Sequence, residues 1–260
     1  MRHSESVMHT SVPQAAAALL ERLRARSPRV HCITNTVAQN FTANALLAAG
    51  CIPSMTLSAE EIGSFVANSD ALLVNLGTFD AERREATGIA ISAAAERRIA
   101  WVLDPVFVDR SPARADFARG LMARKPAAIR LNHAEFKTLA GAEVSAGALM
   151  DFARQNRSIV ALSGKADLVS DGTGVITIEN GHALMSRVTA IGCAGSALLA
   201  ACLAAGDDAF TASAAAMLML GVAGELAAET AKGPGSLAAA ILDALYALDA
   251  PTLIARARAA

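Results

Sequence analysis

Short apolar runs alternate with longer stretches of helical periodicity along most of the chain. Leu19, Leu20 and Leu23 share one face of a helix predicted over Ala15 to Arg26. Val30-His31-Cys32-Ile33 reads as a strand closed by Thr34-Asn35-Thr36, polar residues suited to cap a helix from Val37 to Ala49 that Gly50 ends. The same unit recurs. Ala71 to Leu76 leads through Gly77-Thr78 to a helix over Asp80 to Arg98, Ala100 to Leu103 leads to Asp104-Pro105, and Ala128 to Leu131 runs into Asn132 and a helix around Glu135 to Leu139.

From Ser158 the texture changes. Ile159 to Leu162 is a buried strand, and Ala166 to Ser170, Gly174 to Ile178 and His182 to Met185 read as short strands joined at Asp171-Gly172 and Asn180-Gly181, which are hairpin dipeptides. The remainder is helical, over Cys193 to Ala205, Asp208 to Lys232 and Ser236 to Leu248. Strands alternating with helices predict an α/β fold: a largely parallel sheet between helix layers, with an antiparallel addition near its end. No linker or repeat divides the chain, so residues 1–260 are expected to form one domain, with 1–14 as a mobile lead.

Composition narrows the class. The chain has 260 residues, 53% hydrophobic and 18% charged, which fits one large core and argues against disorder. Its 23 Lys and Arg against 24 Asp and Glu leave no basic excess for a nucleic acid or an anionic membrane surface. Cys32, Cys51, Cys193 and Cys202 stand too far apart for a zinc motif or disulfide framework, so free thiols and a cytoplasmic location are expected. Val188 to Gly206 carries no charge, but its Ala, Gly, Ser and Thr content points to a buried core helix rather than a membrane span.

In an open parallel sheet ligands bind beyond the carboxyl ends of the strands. Those positions are polar here: Thr34-Asn35, Asn75, Asp104, Arg130, Asn132, Glu135 and Ser163-Gly164. Asn35 and Asn132 are also plausible helix caps, and Asn75 a buried hydrogen-bonding residue. Neither a P-loop nor a dinucleotide glycine fingerprint is present. Instead Thr189 to Cys193 precedes a long apolar helix, whose first N–H groups can hold an anion. Cys193 in that first turn is either a thiol with a lowered pKa or an inert core residue.

Together these segments resemble the hydroxyethylthiazole kinases of thiamine salvage. The resemblance rests on His31-Cys32-Ile33-Thr34-Asn35, Asn40 to Asn44, Pro53-Ser54-Met55, Asn75-Leu76-Gly77-Thr78, Leu103 to Val106, Ile129 to Asn132 with Glu135, Gly192-Cys193, Ala223-Gly224-Glu225 and Gly233 to Ser236, in the family's order. It implies a three-layer α/β/α ribokinase-like fold and an ATP-dependent phosphotransferase acting on the alcohol of 4-methyl-5-(2-hydroxyethyl)thiazole. It further implies Met55, Asn35 and Ala190 at the thiazole pocket, between subunits of a homotrimer. Arg130 and Ser163 are implied as ATP contacts, and Asp104 and Glu135 as residues managing Mg2+ and the phosphates. Cys193 takes the place of a catalytic base, and Ala190, Ile191, Gly192 and Cys193 form the anion hole.

Two segments depart from the family pattern. Ala190-Ile191 replaces a usual Gly-Thr, and its N–H groups are expected to keep their aim if Ala190 holds a negative φ. Phe107-Val108-Asp109-Arg110 replaces a small, Gly-rich stretch. Competing readings are a kinase for another vitamin precursor such as a hydroxymethylpyrimidine, a catalytically weak thiazole- or nucleotide-binding relative, and a dinucleotide oxidoreductase.

Overall fold

A computed structural model describes residues 11–260. Its centre is an eight-stranded sheet of order β2-β1-β3-β4-β5-β6-β7-β8. The strands are β1 (Arg29–Ile33), β2 (Ile52–Ser54), β3 (Ala71–Asn75), β4 (Ala100–Asp104), β5 (Ala128–Asn132), β6 (Ile159–Ser163), β7 (Asp167–Ser170) and β8 (Val175–Ile178). β1 to β6 run parallel; β7 and β8 are antiparallel additions, joined at Asp171-Gly172 as expected.

Alternation along each strand builds two cores. Val30, Cys32, Leu73, Val102, Ala128 and Ala161 face α1 (Val12–Arg26), α2 (Gln39–Ala48), α8 (Ile191–Ala205), α9 (Ala209–Thr230), α10 (Pro234–Ala247) and α11 (Ala250–Arg256). Ile33, Leu72, Val74, Leu103, Ile129, Leu131 and Leu162 face α3 (Ile62–Ala67), α4 (Ala81–Arg97), α5 (Pro112–Met122), α6 (His133–Ala140) and α7 (Ala146–Asn156). Consecutive residues of a strand point to opposite faces, so each buried strand serves both layers. This is the three-layer α/β/α fold. Among the described residues α9 is a helix long and apolar enough to cross a membrane, but most of it is buried in the core. α8 is likewise a core helix.

Several expectations are corrected. Ser11 is the N-cap of α1 and Val12 to Gln14 belong to the helix, with Pro13 in its first turn; residues 1–10 of the expected lead lie outside the described residues. Thr34-Asn35-Thr36 does not cap α2: that helix starts at Gln39 after an uncapped Ala38, because Asn35 turns its amide inward to Cys193. His182 to Met185 is not a strand but lies within a 3₁₀ turn (Ala183–Arg187) and its capping residue. Gly181, at φ 137°, swings the chain off the sheet while Glu225 accepts its N–H at 2.8 Å. The place beside β8 is taken by the C-terminus, where Thr177 and Ala260 exchange backbone hydrogen bonds of 2.8 and 3.0 Å. β2, α3, α5, α7 and α11 are elements the pattern reading did not identify.

Candidate active site

The sheet order reverses at β1 and β3, and the ends of these strands with β4 to β6 form one rim. Strand register sets Asn75 beside Asp104 and Asn132 beside Ser163. A cleft of about 870 Å3 opens above them, and eight of the ten expected site residues line it: Asp104, Glu135, Arg130, Ser163, Ala190, Ile191, Gly192 and Cys193. Asn35 lies just outside, and Met55 stands past the end of edge strand β2, packed against the α2 side of the core.

Cys193 joins the two regions. Its Sγ accepts from Asn35 Nδ2 at 3.2 Å and from Asn75 Nδ2 at 3.3 Å. Asn75 Nδ2 also donates to Asp104 Oδ2 at 2.6 Å, and Ser196 Oγ donates to the same oxygen at 2.7 Å. Asn35 fits because residue 77 is glycine: a Cβ there would lie 2.6 Å from the Asn35 amide nitrogen. Arg83 ties down the same loop, with Nε donating to Thr34 O and an Nη donating to Thr36 Oγ1, both at 3.3 Å.

Of the two readings of the Cys193 thiol, the lowered pKa does not hold. Burial, followed by the nearby Asp104 charge, pushes it up to about 11, against the opposing pull of the Asn75 and Asn35 amides and of Arg130. The condition placed on Ala190, a negative φ, is not met: Ala190 is the N-cap of α8 at φ 71°, ψ −5°. The backbone keeps a glycine-like shape although the residue is alanine.

Arg130 carries the strongest electrostatic signal. It is buried, its Nε has no hydrogen-bond partner, and no carboxylate lies within 4.0 Å of it among the described residues. Its guanidinium packs on the first turns of α8, where a Cβ on Gly192 would be 3.3 Å from Nη1 and one on Gly195 would be 3.4 Å from Nε. A buried, unpaired cation is costly, and an anion entering the cleft relieves that cost. With the α8 N-terminus beside it, the arrangement has the donors and charge to hold an oxyanion or phosphate.

The carboxylates differ in how much of them is free. Glu135 accepts the Phe107 N–H at 3.0 Å and the Asn132 N–H at 2.9 Å, one on each oxygen, while Asn132 caps α6 in return. Burial, then Asp104, pushes the Glu135 carboxyl up to about 7. Burial also raises the Asp104 carboxyl, against Arg130, Ser196 and Asn75. Among the described residues only Oδ2 of Asp104 has protein donors, which leaves Oδ1 for a ligand. That donor set suits Mg2+, which is bound through one or two carboxylates with water and substrate phosphates rather than by a complete protein cage. Ser163 lines the cleft, with its Oγ donating to Leu131 O at 3.4 Å.

Asn75, expected on the rim, belongs to this constellation, as do Ser196 and Gly195, which the sequence reading does not single out. The sequence signal for the last two is the Gly-x-x-Gly-Ser spacing of Gly192, Gly195 and Ser196, one helix face kept small for a large neighbour.

A cleft at the reversal point of a mostly parallel sheet, with a buried cation free to take an anion and a metal-competent carboxylate, fits a small-molecule kinase of the ribokinase-like α/β fold. Residues 20–251 match the model of the hydroxyethylthiazole kinase family. A probable hydroxyethylthiazole kinase of Agrobacterium fabrum is 46% identical over 94% of this chain and 94% of its own. The structure of a hydroxyethylthiazole kinase protein from Pyrococcus horikoshii superposes with a TM-score of 0.90 at 34% identity, covering 94% of this chain and 98% of that one. An ADP complex of Bacillus subtilis pyridoxal kinase, 17% identical with a TM-score of 0.59 over 75% of this chain and 90% of its own, shares the fold. The chain belongs to the hydroxyethylthiazole kinase family, whose activity is phosphorylation of the thiazole alcohol.

Proposed function

We propose that the cleft above β4 to β6 takes ATP with Mg2+, and that the corner made by Asn35, Cys193 and Ala190 takes the primary alcohol of 4-methyl-5-(2-hydroxyethyl)thiazole. The observation that carries this division is Arg130, a buried cation with no carboxylate within ion-pair distance, seated against the α8 N-terminus and within the field of Asp104. Phosphoryl transfer relies on positioned phosphates and on donors aimed at charge in the transition state. Arg130 and the backbone N–H groups from Ile191 to Cys193 supply those donors. When bound, Mg2+ neutralises phosphate charge, held through Asp104, with Glu135 shaping the loop at Phe107. Ser163 borders the nucleotide.

Cys193 serves as a neutral thiol that orients the acceptor hydroxyl, a role consistent with its raised pKa. Met55 walls the thiazole at the sheet edge. The exposed side chains of Val37, Leu47, Ile52 and Phe65 around that edge support a homotrimer in which a second subunit closes the pocket. Four free, buried cysteines support a cytoplasmic setting.

Coupled ADP release tests the reading. Turnover is expected only with ATP, Mg2+ and the thiazole alcohol together; equal release without the alcohol, or faster turnover of a hydroxymethylpyrimidine, refutes it.

A further inference from the structure

His31 is completely buried in the middle of β1, between Val30 and Cys32, which are apolar. An aliphatic side chain would fill such a place without a desolvation cost, so the imidazole requires an explanation. Both of its nitrogens are satisfied: Nδ1 is 2.8 Å from Ser54 Oγ and Nε2 is 3.1 Å from Thr56 O. A carbonyl can only accept, so Nε2 carries the hydrogen. The neutral ring then accepts at Nδ1 from the Ser54 hydroxyl.

The two partners are the residues on either side of Met55. β2 is only three residues long and forms the sheet edge, and its pairing with β1 ends at His31 beside Ser54. Beyond that point the sheet ladder no longer fixes the chain. His31 does so from behind. Met55 packs on the α2 side of the sheet, and Phe65 of α3 lies against the imidazole with ring centroids 6.0 Å apart. The Thr56 hydroxyl donates in turn to Glu61, closing the arch on its outer side.

We infer that His31 is a positioning residue for acceptor recognition, gripping Ser54 and Thr56 so that Met55 is held as a fixed wall of the alcohol pocket. This rests on the assignment of Met55 to that pocket. Burial keeps the ring neutral, with its pKa lowered to about 4 against the opposing effects of the Thr56 carbonyl and Glu61, so the grip persists across neutral pH.

The test compares Met55→Ala, His31→Phe and the double variant in the full-length enzyme, reading KM for the alcohol, KM for ATP and melting temperature. His31→Phe keeps ring bulk and removes both hydrogen bonds. It is expected to raise KM for the alcohol by about tenfold while KM for ATP stays within about twofold, since misplacing a binding group acts on the ligand it touches. Because His31 acts through Met55, the double variant is expected to stay within about twofold of Met55→Ala. If Met55→Ala raises the alcohol KM and His31→Phe only lowers the melting temperature, His31 is structural and the inference falls. If Met55→Ala leaves that KM unchanged, the pocket assignment falls and takes the inference with it. Should His31→Phe fail to fold, Ser54→Ala removes one of the two bonds and is expected to raise the alcohol KM about threefold; an unchanged KM there is equally adverse.

Discussion

Replacing Ala190 by Gly tests the backbone shape at the proposed anion hole. Ala190 holds φ 71° and ψ −5° as the residue that starts α8. An L-residue in the left-handed region is strained by about 1–2 kcal/mol, because Cβ crowds the following carbonyl. Glycine occupies that region freely but loses about 0.5–1 kcal/mol more backbone entropy on folding. The balance favours Ala190→Gly by about 0.5–1 kcal/mol, which for a chain of this size corresponds to about 1–4 °C in Tm. Function should respond differently. The backbone already has the glycine-like conformation, so the N–H groups from Ile191 to Cys193 keep their directions. On that basis kcat/KM for either substrate is expected to stay within about twofold. Thermal unfolding followed by circular dichroism, together with coupled ADP release, reads both. A lower Tm, or a tenfold gain in kcat/KM, would mean that Ala190 does not hold the left-handed conformation and that alanine distorts the hole.

Arg130→Ala is expected to raise KM for ATP more than KM for the alcohol, and the reverse order in steady-state kinetics would misplace the nucleotide. Cys193→Ala should lower kcat by about 10²-fold or less, whereas Cys193→Asp should retain activity because Asn35 and Asn75 already present amide donors to that position; an unfolded Asp variant beside a fully active Ala variant would make Cys193 a core residue only. Glu225 accepts from Asn180, Gly181 and Arg258, and although burial opposes it, these partners hold its carboxyl below the usual range. A depressed folded-state pKa contributes stability above the unfolded value and loses it as pH falls through the folded one. Glu225→Gln should therefore cost about 1.5–3 kcal/mol at pH 7, with the gap to wild type closing below about pH 4 in urea melts; a gap independent of pH would exclude the ionised carboxylate as its source.

What could be read from the chain depended on how residues are buried. β1, β3, β4, β5 and β6 are parallel strands covered on both faces, so each is a continuous apolar run bounded by polar residues, visible without any tertiary knowledge. β2 carried no such mark: Ile52-Pro53-Ser54 is three residues at an edge, with a proline that suits only an edge. α5 and α7 do carry local marks, since Ser111 and Ser145 cap them and Pro112 opens α5. The Asn180-Gly181 pair signals a sharp turn, but its direction follows from Glu225 accepting the Gly181 N–H and from the C-terminus filling the edge beside β8. Such contacts join residues far apart in sequence and leave no local pattern.

The site divides along the same line. Asp104, Asn132 and Ser163 were legible because the carboxyl end of each parallel strand is a position the fold itself marks, whatever the chemistry. Ser196 and Gly195 sit inside a helix whose composition reads as core, and they matter only because β4 and β5 bring Asp104 and Arg130 against that helix from the sheet side. The φ of Ala190 was hidden for another reason. Alanine ordinarily avoids the left-handed region, so its local preference points away from the conformation imposed by the 3₁₀ turn before it and the buried helix after it. The state of the Cys193 thiol stays open in the sequence because the helix N-terminus can be read there and the depth of its burial cannot. At this site the desolvation of Sγ, with Asp104 adding to it, outweighs the two amides that donate to it. On the proposed placement a thiol held neutral by burial orients a hydroxyl rather than removing its proton, and the Cys193→Ala and Cys193→Asp variants separate that acceptor-facing placement from a purely core one.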